Sequence, residues 1–320
     1  MSPDQNSEPT RPLSDEPAAQ LPSGDAQEPA VSGLAESAGV PSGIARHDTQ
    51  LSPVEGRSVV EAVLPAGELE LIDGATLADV LARYQISLPP DQIRLLDRYR
   101  RLVWDWNQKI NLTRHTDLEK FVTRDVLDSV AVAELLEPEE LVLDVGTGAG
   151  VPGVILAIIR PDLRVYLCDS VAKKARAVDE IVRQLGLATP VAAARVQDLL
   201  GQHTQFNTLI GRAIGSMREV LKWLRPHWRY FDRLLLIKGR SWVKERGEAR
   251  HYGMMHGLAL RKLKEYDNPA NGAYNVILQV CPEDRIGEGK KCRLRELRSH
   301  RPKLPPLPVS PMPAHPGPKK

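Results

Sequence analysis

The chain reads as an α/β protein with a doubly wound sheet, preceded by a small helical cap and flanked by tails. Two observations carry that fold class. Short apolar runs at 141–143, 165–167, 208–210, 234–237 and 275–280 alternate with helical stretches, and continuous apolar strands separated by helices belong to a parallel sheet covered on both faces. A glycine-rich turn follows the first of these strands and opens an apolar helix that runs to Arg160.

The elements follow in order. Residues 1–65 hold nine prolines, ten acidic against three basic side chains, and no aromatic residue, the first being Tyr84. A segment so poor in apolar surface cannot offset its ordering entropy, so residues 1–68 are expected to be a disordered acidic tail. Residues 69–137 are expected to form the helical cap. Thr76 to Tyr84 and Pro90 to Lys109 have helical apolar spacing; in the second, Ile93, Leu96, Tyr99, Leu102, Val103 and Trp106 recur at steps of three and four. Asp117 is the expected N-cap of a third helix through Val130 to Leu136. Residues 138–284 form the expected sheet domain, its third strand at Pro190–Ala194. Residues 285–320, with ten basic against two acidic side chains and a proline-rich end, read as a basic, extended, disordered tail.

Composition excludes several classes. The longest apolar runs, such as Val154 to Ile159, fall far short of the roughly 20 residues that cross a bilayer. Met1 to Asn6 is polar and acidic, unlike a secretory signal. No membrane segment is expected, and the chain is expected in the cytoplasm. Three cysteines, Cys168, Cys281 and Cys292, are too few and too scattered for a disulfide framework or a zinc knuckle. Reduced thiols and no metal site are expected. No interface pattern stands out, and a monomer is expected.

The most informative segment runs from Asp144 through Gly146, Gly148, Gly150 and Val151 to Gly153. Glycines let the backbone turn sharply and approach a ligand closely, and the helix start beyond them offers unpaired N–H groups. Their even spacing departs from the dinucleotide pattern G-x-G-x-x-G. It resembles instead the turn of class I methyltransferases, which bind S-adenosylmethionine; the resemblance implies that this turn, with Gly146 and Gly148, holds the amino-acid portion of that cofactor. Asp169 ends the next apolar strand, 23 residues after Gly146, and an acid at that offset is placed to accept hydrogen bonds from ribose hydroxyls. Arg195 to Asp198 follow the third strand, where ligands of this fold sit, although Gln197 and Asp198 fit a solvated loop equally well.

Further motifs follow in order: Trp106-Asn107-Gln108-Lys109-Ile110-Asn111-Leu112-Thr113, Arg124-Asp125-Val126-Leu127-Asp128-Ser129, the glycine turn, Asp169-Ser170, Gly211-Arg212-Ala213 and Lys238-Gly239. Together, over roughly residues 85–283, the chain resembles the RsmG (GidB) family of bacterial methyltransferases acting on N7 of a guanosine in small-subunit ribosomal RNA. The resemblance implies a Rossmann-like class I fold, S-adenosylmethionine as cofactor, and ribosomal RNA or a ribosomal particle as partner. It puts Gly146, Val151, Val196, Gln197 and Arg212 on the family's cofactor-binding positions. The chain departs from the family at Asp125, where histidine is usual, at Gln197, where an acid is usual, and at Gly211, where serine is common.

Guanine N7 carries an exposed lone pair, so its methylation needs no base; orientation of N7 against the sulfonium methyl suffices. Methylation of a pyrimidine carbon would want a cysteine nucleophile, and none of the three is well placed. Arg212, after an apolar strand, and Asn111 are the candidates for a catalytic role, Arg212 through its planar fork. Lys109, Arg114, His115, Lys120 and Arg124 make the cap locally basic, and Lys238 and Arg240 flank the rim, groups suited to phosphate contacts. Three other readings stay open: a nicotinamide-dependent oxidoreductase, a non-catalytic ribosome-assembly factor on the same fold, and a methyltransferase with another acceptor.

Overall fold

A computed structural model describes residues 76–201, 205–287 and 291–295. The expected N-terminal tail lies outside the described residues, as does the proline-rich end of the chain.

The first helix, α1 (Leu77–Arg83), starts at Thr76, whose hydroxyl accepts from Asp79 N while the Asp79 carboxylate accepts from Thr76 N. This reciprocal cap satisfies donors that a helix start leaves open. In α2 (Pro90–Asn107) proline occupies the first turn, where its missing N–H costs nothing, and Leu96, Tyr99 and Val103 are buried. Asp117 caps α3 (Leu118–Lys120) as expected, accepting from Lys120 N at 2.7 Å. The helix then widens into a π-helical stretch, Phe121–Val126, before α4 (Leu127–Ala133). Around the widened turn the carbonyl of Thr123 accepts from the buried Asn268 amide at 2.8 Å.

The alternating part follows: β1 (Leu141–Val145), α5 (Gly153–Ile159), β2 (Arg164–Cys168), α6 (Ala172–Leu185), β3 (Val191–Ala192), α7 (Val196–Leu199), β4 (Phe206–Arg212), α8 (Met217–Leu224), β5 (Phe231–Lys238), α9 (Trp242–His251), β6 (Leu258–Asp267) and β7 (Tyr274–Pro282). Seven strands form one sheet in the order β3-β2-β1-β4-β5-β7-β6. Strands β1 to β5 pair in parallel, whereas β7 runs antiparallel to both β5 and β6. The doubly wound sheet is as expected, and its parallel pairing gives way to antiparallel pairing at this edge. β6 has no counterpart among the expected strands because its residues, LALRKLKEYD, are largely polar and half-buried; an edge strand guarded by charge lacks the apolar run that marks a central one.

Side chains alternate across the sheet. Val142, Val165, Ile210 and Leu235 join α2, α4, α5 and α6 in one cluster, and Leu143, Tyr166, Leu209 and Leu236 join α7, α8 and α9 in the other. The helical cap thus packs on one face of the sheet as a continuation of its core. The start of the expected basic tail also packs: Cys292 is buried and bridges to Ile286, and Arg295 reaches the fully buried Asp232, Nε to Oδ1 at 2.6 Å.

Candidate functional site

Strand order reverses between β1 and β4, the point at which open α/β sheets receive ligands outside their carboxyl ends. A cleft of about 440 Å³ opens there, lined by Gly146, Ser170, Val196, Gln197, Ile214 and Trp223 with their neighbours. That volume is in the range of small-molecule sites.

The glycine turn shapes one wall. Gly146, Gly148 and Gly150 have φ of +66°, +61° and +101°, a region costly for any residue with a side chain. A Cβ on Gly146 would lie 2.7 Å from Ile214 Cγ2. Gly148 N donates to Asp169 Oδ2 at 2.9 Å, and Asp169 Oδ1 accepts from Val171 N at 2.8 Å. The carboxylate therefore braces the end of β2 against the turn, with a lone pair left on each oxygen. Behind the turn, Asp144 Oδ2 accepts from Thr147 Oγ1 at 2.6 Å and Gly153 N at 3.0 Å. Burial still pushes its carboxyl up to about 6.

Ile214 fills the floor beside two glycines. A Cβ on Gly211 would lie 2.4 Å from its Cδ1 and 3.0 Å from its Cγ1, so a serine at this position would require Ile214 to shift. Before it, Ala213 holds φ +57°, a strained value for a non-glycine residue.

Arg212 leaves β4 toward the cap. Its Nη1 lies 2.8 Å from Asp125 Oδ1 and 3.2 Å from Asp128 Oδ2, and it also donates to Arg124 O. Burial works against the guanidinium charge, and the two carboxylates outweigh it and hold the pKa above its usual value. Asp128 shifts the other way, raised by burial despite Arg212. His115 Nδ1 sits 2.9 Å from Asp125 Oδ1, and Tyr266 donates to Asp128 Oδ1 at 2.7 Å. Asp125, at the family's histidine position, thus serves as an ion-pair partner for Arg212.

The expected site residues divide accordingly. Gly146, Val196 and Gln197 line the cleft. Gly148 and Asp169 hold each other at its edge, and Val151 is buried in the core behind the turn. Arg212 stands in the carboxylate cluster beside the cleft. Asn111 is exposed; its loop is held by Asn107, whose Oδ1 accepts from Leu112 N and Thr113 N. Lys238 is not available to a phosphate: it is buried, and its Nζ donates to Gly215 O at 2.6 Å and pairs with Glu245 Oε2 at 2.7 Å. Cys168 lines the cleft, but burial pushes its thiol up to about 12, which leaves no thiolate for attack. Sequence reasoning missed Ile214, Trp223 and Tyr266, and it named Asp128 only as part of a motif, without a role. Of the three missed, Trp223, an aromatic residue left over on the polar side of an amphipathic helix, carried a readable signal.

A seven-stranded sheet in this order, with an antiparallel strand beside β5 and a glycine turn facing a switch-point cleft, defines the class I methyltransferase architecture. The chain matches the GidB family, rRNA small subunit methyltransferase G, over residues 92–271. It is 52% identical over 192 residues to ribosomal RNA small subunit methyltransferase G of Rhodopirellula baltica, covering 60% of this chain and 83% of that protein. It is 31% identical over 220 residues to the Carboxydothermus hydrogenoformans protein of the same name, covering 66% and 94% respectively. The crystal structure of the 23S rRNA methyltransferase ErmE aligns over 54% of this chain and 72% of its own, at 15% identity and a TM-score of 0.39. The chain belongs to the GidB family of small-subunit rRNA methyltransferases.

Proposed function

We propose that the protein transfers the methyl group of S-adenosylmethionine to N7 of a guanosine in small-subunit ribosomal RNA, acting as a cytoplasmic monomer. The observation that carries this reading is that the family match, 92–271, spans the helices around Arg212 and the strands that build the cleft. No helix among the described residues is long and apolar enough to cross a membrane, and no cluster there could hold a metal ion.

The cleft fits the cofactor. Gly146 lines the cleft without a side chain of its own, so its backbone is open to close approach by the methionine portion. Asp169 keeps acceptor capacity for ribose hydroxyls, and Val196, Gln197 and Trp223 offer a mostly apolar seat for a base. When bound, the sulfonium supplies an activated methyl group. The protein then has to hold guanine N7 in line with it, and orientation of this kind lowers a barrier by several kcal/mol without a general base. Arg212, pinned between Asp125 and Asp128, is a rigid donor at the junction of the cleft and the helical cap.

The test is transfer of label from S-adenosylmethionine to small-subunit ribosomal RNA from cells lacking the gene, beside Arg212→Lys and Arg212→Ala. Label at a guanine N7, reduced in both variants, is the expected result. Cofactor binding with no label in RNA or particles would point to another acceptor. No cofactor binding at all would favour an assembly factor.

A further inference from the structure

We propose that the start of α9, with the β5–α9 loop, is a second RNA-docking surface, facing the substrate from the side of the sheet opposite the helical cap. The inference rests on the ribosomal RNA reading above. It concerns a surface that neither the cleft nor the cap explains.

The argument begins with charge. α9 and its approach carry Arg240, Lys244, Arg246, Arg250 and His251 against two carboxylates, Glu245 and Glu248. Both carboxylates are engaged by the protein itself. Glu245 Oε2 pairs with the buried Lys238 and accepts from Met217 N, and Glu248 pairs with Arg218 at 3.0 Å. Arg240, Lys244, Arg246 and Arg250 have no carboxylate at ion-pair distance among the described residues. The uncompensated charge of this surface is therefore positive.

The arginines are also ordered in advance. Arg240 lies over the Tyr274 ring at 5.8 Å, Arg246 over Trp242 at 5.2 Å, and Arg218 over Tyr252 at 4.8 Å. A guanidinium stacked on a ring has surrendered much of its rotamer freedom while keeping its N–H groups for phosphate oxygens. Tyr252 is 54% exposed and Val243 52%, so aromatic and apolar surface accompanies the charge, as in sites that take nucleic acid.

Position completes the case. Lys238 ends β5, so the loop after it opens at the same sheet edge as the cleft, on the side of α8 and α9; the cap covers the other side. The two are linked within the protein. Lys238 Nζ and Glu245 Oε2 tie the first turn of α9 to Gly215 O and Met217 N, directly after the cleft-lining Ala213 and Ile214. Docking on α9 thereby bears on the loop that floors the cofactor cleft.

The experiment measures binding of the full chain to a small-subunit ribosomal RNA fragment across a salt series, for wild type, Arg240→Gln/Arg246→Gln and Arg94→Gln. Arg94 is an exposed arginine near the start of α2, a turn whose Gln92 reaches the far end of α5, away from the cleft edge. The double variant is expected to bind about tenfold more weakly, with a salt slope shallower by about 2, while Arg94→Gln matches wild type. Arg240→Lys/Arg246→Lys should restore the slope. Calorimetry with S-adenosylhomocysteine should show unchanged cofactor affinity in every variant. Wild-type affinity and slope in the double variant would overturn the proposal while leaving the methyltransferase reading intact. A wild type that binds S-adenosylhomocysteine but no ribosomal RNA, or prefers anionic phosphatidylserine vesicles, would overturn the RNA reading and this surface with it.

Discussion

Asp144 and Gly211 show how single positions carry the site. Burial raises the Asp144 carboxyl to about 6 from the usual value near 3.8. The folded protein therefore binds a proton more tightly here than the unfolded chain does. This group adds nothing unfavourable below about pH 4 and opposes folding increasingly as pH rises through 6, by up to about 3 kcal/mol. Asp144→Asn should accordingly gain stability relative to wild type between pH 4 and 7, read as a change in the difference of melting temperatures. A difference that does not move with pH would refute that assignment. Gly211→Ser forces a Cβ against Ile214 and should cost about 1–3 kcal/mol. The penalty should shrink in an Ile214→Ala background, giving a coupling energy in a double-mutant cycle; additive effects would mean the two side chains do not compete for space.

Among elements, the segment after β7 contributes more than its composition suggests. Asp232 is fully buried in β5, and its carboxylate takes Arg295 Nε at 2.6 Å, Arg295 N at 2.9 Å and Asn207 Nδ2 at 3.2 Å. Removing the guanidinium leaves a buried charge short of a partner. Arg295→Ala should lower stability in denaturant by about 1–3 kcal/mol, and Asp232→Asn in the same chain should recover part of it. If Arg295→Ala unfolds at the wild-type midpoint, the segment is not anchored in solution. α1, α2 and the first five strands were legible because their apolar spacing is regular. The π-helical turn was not, since no local pattern distinguishes FVTRDV from an ordinary helical stretch; its place depends on Asn268, which is 145 residues away along the chain.

For the whole molecule, a cofactor that binds only the folded state raises its stability by mass action, about 2.7 kcal/mol at a hundredfold excess over Kd. For a folded unit of this size that is a rise of about 5–10 °C. S-adenosylhomocysteine should produce such a shift and NAD none; the reverse pattern would move the protein to the oxidoreductase reading. The size of the effect is a property of the assembled sheet, because the cleft draws on β1, β2, the segment from Ala194 into α7, the loop after β4 and α8 together.

By itself the sequence determined the class of the fold, the place of the glycine turn and the acid after β2, because these depend on local rules of period, backbone freedom and spacing. The family resemblance, not a local rule, marked Val196 and Gln197 beside Gly146, and all three line the cleft. Only the tertiary structure decided the partners of the charged residues. Arg212 could equally have gripped a ligand; it pairs with Asp125 and Asp128 because β4 delivers it beside the π-helical stretch. Lys238 looked like a phosphate contact and is instead sealed against Glu245. A charge finds its partner across the chain, at distances no sequence window spans, and burial then decides whether that partner is a carboxylate within the protein or a phosphate outside it.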